Sequence, residues 1–190
     1  HVVQGRLVFP GAAYLETMRA ACGAVARAAA AGVAVGDVFF LMPLMLADED
    51  DASAVWMECV LQTSGDAEVR SGSGDGDDAT VHCRSMRAAA AQQDAWITAS
   101  DMVQMHERCS DEVDVGGLYA TLHGTGLHYG PAFRTLESGA RGDGEALARL
   151  RRRAQWQGTR VHPADLDGAL QWTSVSARAD GGGGETRLPF

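Results

Sequence analysis

The feature that most constrains the fold is a repeat: near each end of the chain, a proline precedes a segment with helical spacing of apolar residues. After Pro10 and Gly11, the apolar residues recur at intervals of three or four: Leu15, Met18, Cys22 and Val25. After Pro163, the corresponding side of the segment carries Leu166, Ala169, Leu170 and Thr173. Proline fits the first turn of a helix, because its missing N–H would have no partner there. The pattern therefore predicts two helices, the first ending near Gly32.

Strand-like segments follow the first predicted helix and precede the second. Residues 35–46, 54–63 and 79–86 are predicted as antiparallel strands, with a loop rich in Gly, Asp and Ser at 71–78. Two further strands are predicted around 134–151. A helix followed by strands that wrap around it is typical of an α+β unit and not of the β-α-β alternation in nucleotide-binding sheets.

The repeat divides the chain into two halves. From about 88 to 112 the sequence is first Ala/Gln-rich and then polar, which suits a partly helical linker. We predict an N-terminal half at 1–95, a linker at 96–112 and a C-terminal half at 113–190. The strands that should follow the second helix are only beginning where the sequence stops. An incomplete second half would leave a core face bare, so we expect this chain to be a piece of a longer polypeptide. We expect the full domain to be active and the isolated piece to be poorly folded or inactive.

Composition narrows the classes of function. The 190 residues carry a formal net charge of -9, which argues against nucleic acid as the main partner because phosphate binding needs a basic face. No apolar stretch is long enough for a membrane span and no signal-peptide pattern is present, so a cytoplasmic location is predicted. The four cysteines are far apart and show no C-x-x-C pair, which favours buried thiols over a zinc site or a disulfide framework.

Three separated motifs occur in order along the chain. The first is His-x3-Gly-x4-Pro-Gly, formed by His1, Gly5, Pro10 and Gly11. The second is Gly-x-x-Tyr-Gly-Pro-x-Phe, formed by Gly126, Tyr129, Gly130, Pro131 and Phe133. The third is His-Pro-x-x-x-Asp-x-x-x-Gln, formed by His162, Pro163, Asp167 and Gln171. Together they resemble the dehydratase domains of modular polyketide synthases and animal-type fatty acid synthases.

The resemblance implies a double hot dog fold, in which two helices, each wrapped by an antiparallel sheet, pack side by side. It implies elimination of water from a β-hydroxyacyl thioester carried on an acyl carrier protein, giving an α,β-unsaturated thioester, with no metal or nucleotide cofactor. The implied partners are the acyl carrier protein with its phosphopantetheine arm and the neighbouring synthase domains. A homodimer through the parent synthase is compatible with the resemblance.

The resemblance also implies roles for individual residues. His1 is the base that removes the α-proton, a task that suits a group whose ordinary pKa is near 6.5. Asp167 is the acid that protonates the leaving hydroxyl, which requires burial to raise its pKa. Gln171, one turn later, is placed to orient Asp167, and Tyr129 to hydrogen-bond near the acid or the substrate hydroxyl. Gly11, just after Pro10, is predicted to supply a helix N-terminal N–H to the thioester oxygen.

Alternative interpretations remain at this stage. A product-template type cyclase of the same fold would use a similar His/Asp pair, and a catalytically silent binding remnant would use none. Tyr129 and Phe133 are predicted mainly as packing residues, and His162 as a turn residue. The run Arg149, Arg151, Arg152 and Arg153 is predicted as a solvated edge, with docking of an acidic carrier protein as the alternative.

Overall fold

The computed structural model describes residues 1–25, 34–46, 55–73, 78–88 and 99–177. Two short strands, β1 (Val2–Val3) and β2 (Arg6–Leu7), open the chain. The contacts divide it into an N-terminal unit, residues 6–92, and a C-terminal unit, which combines residues 1–5 with 93–189. Helices and antiparallel sheets occur in both units, so the predicted α+β class is confirmed.

The N-terminal unit packs one helix against a four-stranded antiparallel sheet. Besides β2, its elements are α1 (Gly11–Val25), β3 (Ala34–Phe40), β4 (Val55–Leu61), β5 (Ala67–Ser73) and β6 (Thr80–Ala88). The strand order is β3-β6-β5-β4. Pro10 precedes the first residue of α1, as predicted. Gly32, the expected helix end, lies outside the described residues.

The buried face of α1 differs in part from the predicted stripe. Met18 and Cys22 are buried as expected, but Leu15 is half-buried and Val25 is 70% exposed. Tyr14 takes the place expected for Leu15, because its ring packs in the core while its hydroxyl accepts a hydrogen bond from Leu44 N–H at 3.2 Å. The hydrophobic cluster beneath this face includes Leu44, Ala67, Val69 and Cys83.

Strand β5 was not expected from the sequence. Its last three residues, Ser71–Ser73, fall in the segment predicted as a loop. Strand pairing on both sides explains its position, since β5 bonds to β4 with Cys59 opposite Val69 and to β6 with Val69 opposite Cys83. Small and polar residues are tolerated in a central strand when the ladders and a few buried side chains hold it.

In the described part of the C-terminal unit there are three α-helices, a three-stranded sheet and two short paired strands. After α2 (Ala99–Arg108), the elements are β7 (Asp111–Glu112), α3 (Val115–Gly124), β8 (Leu127–His128), a 3-10 turn (Pro131–Phe133), β9 (Leu136–Arg141), β10 (Ala146–Leu150) and α4 (Pro163–Ala177). Strands β10, β9 and β7 form an antiparallel sheet in that order, and β8 pairs with β1. The two strands and the proline-initiated helix predicted here are present. Helix α2 and strand β7 lie in the segment predicted as a linker.

The first five residues belong to the C-terminal unit and not to the N-terminal half in which the sequence analysis placed them. Backbone pairing is the reason, because β1 bonds to β8 with Val2 opposite His128 and Val3 opposite Leu127. Such long-range pairing leaves no local signal in five residues. The other predicted domain limits stay predictions.

The apolar stripe predicted for α4 was wrong. Ala169 and Thr173 are exposed, whereas the side of α4 that faces the unit's core carries Ala164, Asp167, Gly168, Gln171, Trp172 and Val175. Two strongly polar residues thus lie on the buried face, which hydrophobic periodicity cannot predict because it assumes that polar residues point to water.

Cys22, Cys83 and Cys109 are buried and Cys59 is half-buried, in agreement with the predicted buried thiols. Within the described ranges, no three His, Cys, Asp or Glu side chains cluster as metal ligands. None of the helices described in the structure is both long and apolar enough to cross a bilayer.

Candidate active site

The pairing of β1 with β8 places His1. Gln4 N–H donates to the Gly126 carbonyl at 2.9 Å, and the register of the two strands sets His1 opposite Tyr129. The glycine of the first motif, Gly5, follows with a φ of 81°, a left-handed conformation that glycine adopts without a steric penalty. A Cβ atom there would meet nothing within 4 Å, so the dihedral angle and not space accounts for the glycine.

Two aromatic rings of the second motif enclose His1. The Tyr129 and Phe133 rings each lie 4.7 Å from the imidazole, centroid to centroid, in edge-on geometry. The His1 side chain is only 7% exposed. Pro131 starts the 3-10 turn that brings Phe133 back towards the imidazole. The predicted packing role of Tyr129 and Phe133 agrees with this arrangement.

Helix α4 presents the carboxyl group that faces His1. The imidazole Nε2 lies 3.1 Å from Oδ1 of Asp167, whose side chain is also 7% exposed. The second carboxyl oxygen, Oδ2, accepts a hydrogen bond of 2.6 Å from Gln171 Nε2. Gln171 lies one turn later on the same face, so the spacing of four residues in the third motif brings the two side chains together.

Burial changes the acidity of Asp167. Desolvation is the main cause and raises the pKa of this carboxyl to about 6, against the hydrogen bond from Gln171, which lowers it. The pKa of the Tyr129 hydroxyl is also raised, first by burial and then by the charge of Asp167. The site thus favours neutral forms of its acidic groups.

A close contact holds α4 in place beside the pair. At Gly168 a Cβ atom would lie 2.0 Å from Oγ1 of Thr135, so only glycine permits this approach. Thr135 in turn donates to the Ala164 carbonyl at 3.2 Å. His162 caps the start of α4, because its Nδ1 accepts a hydrogen bond from Ala164 N–H at 3.1 Å. This is the turn role that the sequence analysis favoured.

Tyr119 is a site residue that the sequence analysis missed. Its hydroxyl donates to Oε1 of Gln171 at 3.0 Å and accepts from Leu136 N–H at 3.4 Å. Tyr119 belongs to none of the three motifs, and 52 residues separate it from Gln171. Nothing in the sequence indicated this role, since an aromatic residue on a helix usually indicates core packing.

The remaining predicted residues belong to other elements. Pro10 and Gly11 are at the start of α1 in the N-terminal unit, where Gly11 lines an apolar cavity of about 170 Å³. In the arginine run, Arg151 and Arg152 are exposed, and Arg153 forms an ion pair of 2.8 Å with Asp165.

An imidazole and an unusually basic carboxyl in contact, enclosed by aromatic rings on an α+β scaffold, define a site for acid–base chemistry on an organic substrate. Two family models match the chain. "Polyketide synthase dehydratase domain" matches residues 1–73, and "Polyketide synthase dehydratase N-terminal domain" matches residues 97–190. The chain belongs to the family of polyketide synthase dehydratase domains.

Relatives and solved structures agree with this assignment. The polyketide synthase GfsE of Streptomyces halstedii is 32% identical over 213 residues, which span 100% of this chain and 5% of that protein. The dehydratase domain from the CurK module of curacin polyketide synthase is 25% identical, with a TM-score of 0.74 over 93% of this chain and 62% of that one. The dehydratase domain of RzxB from Pseudomonas fluorescens is 27% identical, with a TM-score of 0.72 over 94% and 65%.

These neighbours are hot dog domains, so the predicted fold class is confirmed. Two further structures of the CurK dehydratase, one with a histidine replaced by phenylalanine and one with an aspartate replaced by asparagine, are described as inactive mutants. The chain itself spans only a small fraction of the curated relatives that it matches.

Proposed function

We propose that this chain dehydrates a β-hydroxyacyl thioester that is carried on the phosphopantetheine arm of an acyl carrier protein. The observation that carries the proposal is the 3.1 Å contact between His1 Nε2 and Asp167 Oδ1 in a nearly closed, aromatic-walled site. The reaction needs a base at the α-carbon and an acid at the hydroxyl of the next carbon. Two side-chain atoms at this separation are placed to serve neighbouring carbons of one substrate.

The proposed roles balance in protons and electrons. His1 Nε2 takes the α-proton, and the electron pair of the broken C–H bond becomes the second bond between the α- and β-carbons. The bond from the β-carbon to oxygen breaks, and the hydroxyl leaves as water with the proton of Asp167. After one turnover His1 has gained a proton and Asp167 has lost one. Direct transfer across their contact restores both groups.

The raised pKa of Asp167 supports the acid role, because a carboxyl with an ordinary pKa would hold almost no proton at neutral pH. Tyr129 and Phe133 fix the imidazole plane from two sides. We retain the prediction that Gly11 N–H, at the start of α1, stabilises the charge on the thioester oxygen. An acyl-analogue complex with its carbonyl directed away from Gly11 would refute that role.

The proposed mechanism uses side chains and backbone groups alone and needs no metal or nucleotide cofactor. The proposed partners of the chain are the carrier protein and the neighbouring domains of a parent synthase. Dimerisation of that synthase would bring two copies of the chain together. The exposed guanidinium groups of Arg151 and Arg152 are suited to an acidic carrier.

Mass spectrometry of a β-hydroxyacyl carrier protein incubated with the complete dehydratase domain that contains this chain tests the proposal. We expect the acyl group to lose the mass of one water, and the His1→Ala variant to lose this activity while keeping its circular dichroism spectrum. His123→Ala, which removes an exposed histidine of α3 in the same unit, is the matched control and should remain active. Ring formation from a poly-β-keto substrate would instead support the cyclase, and binding without turnover the silent module.

A further inference from the structure

The buried amide of Gln171 connects the acid to a residue outside the three motifs. Its side chain is 1% exposed, and its two ends contact different kinds of group. Nε2 donates to Asp167 Oδ2 at 2.6 Å and to the Phe133 carbonyl at 3.1 Å. Oε1 accepts from the Tyr119 hydroxyl at 3.0 Å. The amide therefore lies in a directed chain of hydrogen bonds and not in an isolated contact.

The direction of this chain follows from its fixed members. Leu136 N–H can only donate, so the Tyr119 oxygen accepts from it and the Tyr119 O–H is turned towards Gln171. The Phe133 carbonyl can only accept, so it requires the NH2 end of the amide. Both constraints give the same amide orientation, with oxygen towards Tyr119 and nitrogen towards Asp167.

This orientation decides where Asp167 carries its proton. A proton on Oδ2 would point at the N–H of Gln171, so that two donors would meet at 2.6 Å. A proton on Oδ1 keeps that hydrogen bond and points to His1 Nε2, 3.1 Å away. Oδ1 is therefore the oxygen that delivers the proton in the proposed reaction, while Oδ2 serves as an anchor.

We propose that Tyr119 is a positioning residue for the dehydration, whose hydroxyl acts through the Gln171 amide to keep the acidic proton of Asp167 on Oδ1. The inference rests on the proposed function for its catalytic consequence, but the relay itself is a property of the folded chain. Hydrogen bonds in series polarise one another, so loss of the Tyr119 donor weakens the Gln171 donor as well. The Asp167 carboxylate then loses stabilisation and holds its proton to higher pH.

Replacement of Tyr119 by phenylalanine tests this relay. We expect kcat to fall about tenfold with KM within about twofold, and the alkaline limb of the kcat profile to move to higher pH. The matched control is Tyr14→Phe in the N-terminal unit, because the Tyr14 hydroxyl likewise accepts a backbone N–H, that of Leu44. It removes a buried phenol hydroxyl of the same kind and should leave kcat and its pH profile unchanged.

Titration of Asp167 by carboxyl ¹³C NMR, with the signal assigned through Asp167→Asn, gives a readout that needs no turnover. We expect a higher midpoint in Tyr119→Phe than in wild type, and the same midpoint in Tyr14→Phe. In a Gln171→Leu background, Tyr119→Phe should cause no further shift, since the two residues act in series. An unchanged midpoint in Tyr119→Phe, or equal additional shifts with and without Gln171, would overturn the relay.

A fluorinated tyrosine at position 119 covers the case in which Tyr119→Phe does not fold. It keeps the hydroxyl and nearly the same shape but is a stronger donor, so the Asp167 midpoint should move to lower pH. A shift in the opposite direction, or none, contradicts the relay. If the complete parent domain dehydrates no β-hydroxyacyl carrier protein but shows the expected midpoint shifts, the proposed function is rejected and the relay is retained.

Discussion

Helices α1 and α4 have the same length and each follows a proline or begins with one, yet they bury different chemistry. The core side of α1 carries Tyr14, Met18 and Cys22, which pack against the sheet of the N-terminal unit. The corresponding side of α4 carries Asp167 and Gln171 beside Trp172. Equivalent helices can therefore supply a core in one unit and a reactive group in the other.

The two helices also differ in how a buried carboxyl is satisfied. Glu16 on α1 is 7% exposed and receives two hydrogen bonds of 2.6 Å from Arg19, three residues away on the same helix. Asp167 on α4 faces an imidazole that is 166 residues away in the chain. The Glu16 carboxylate is paired with an arginine of its own helix, so we assign it a structural role. The Asp167 carboxyl has no cationic neighbour on α4, so its pKa stays raised and it is suited to proton transfer.

The largest expected effect comes from replacing Asp167, the residue that distinguishes α4 from α1. Asp167→Asn should lower kcat for dehydration about 10³-fold, because the amide cannot donate the proton that the hydroxyl needs to leave. Asp165→Asn is the matched control on the same helix, since Asp165 pairs with Arg153 and not with His1. Single-turnover assays on a β-hydroxyacyl carrier compare the two. Similar rates in both variants would contradict the acid role.

The complementary change on α1 should affect stability and not chemistry. Met18 is fully buried, so Met18→Ala should lower the free energy of unfolding by about 3 kcal/mol through the cavity that it leaves. Met86→Ala, at a methionine that is 57% exposed in the same unit, should change it little. Urea denaturation measures both. A loss of turnover per folded molecule in Met18→Ala would show that α1 contributes more than packing.

The pH dependence of stability sharpens the contrast between the two carboxyls. The pKa of Asp167 rises from 3.8 to about 6 on folding, so the folded chain binds more protons between these values. Its stabilising contribution is fully present below pH 3.8 and is lost as the pH rises through 6. Relative to Asp167→Asn, wild type should lose up to about 3 kcal/mol over this range. Parallel curves for wild type and variant in urea titrations would rule out the raised pKa.

The smallest effects compare one glycine on each helix. Gly168→Ala should destabilise the chain by about 2 kcal/mol, because the new methyl group collides with Thr135, and should lower activity by displacing Asp167. Gly23→Ala on α1 should stabilise by about 0.5–1 kcal/mol, since a Cβ there meets nothing within 4 Å. Thermal unfolding distinguishes the two. Equal shifts in the melting temperature would mean that α4 is not closely packed at Gly168.

Local patterns in the sequence were enough for the α+β class, the starts of α1 and α4, and the strands β9 and β10. The family resemblance indicated that His1 and Asp167 act together, and the spacing of four residues placed Gln171 beside Asp167. Periodicity failed on α4, because it places polar residues towards water and the buried face there is partly polar. It also failed for β5 and Tyr119, whose positions depend on partners in distant segments. The long-range pairing of β1 with β8 was likewise not predicted, and it places His1 in the unit that contains Asp167.

The attachment of residues 1–5 to the C-terminal unit has a practical consequence for fragment complementation. A chain cut between residues 92 and 93 would separate the imidazole from the carboxyl, although both contribute to a single contact within one unit. The piece that starts at Gln93 would therefore need residues 1–5, either added as a separate peptide or fused to it, to restore the contact between His1 and Asp167.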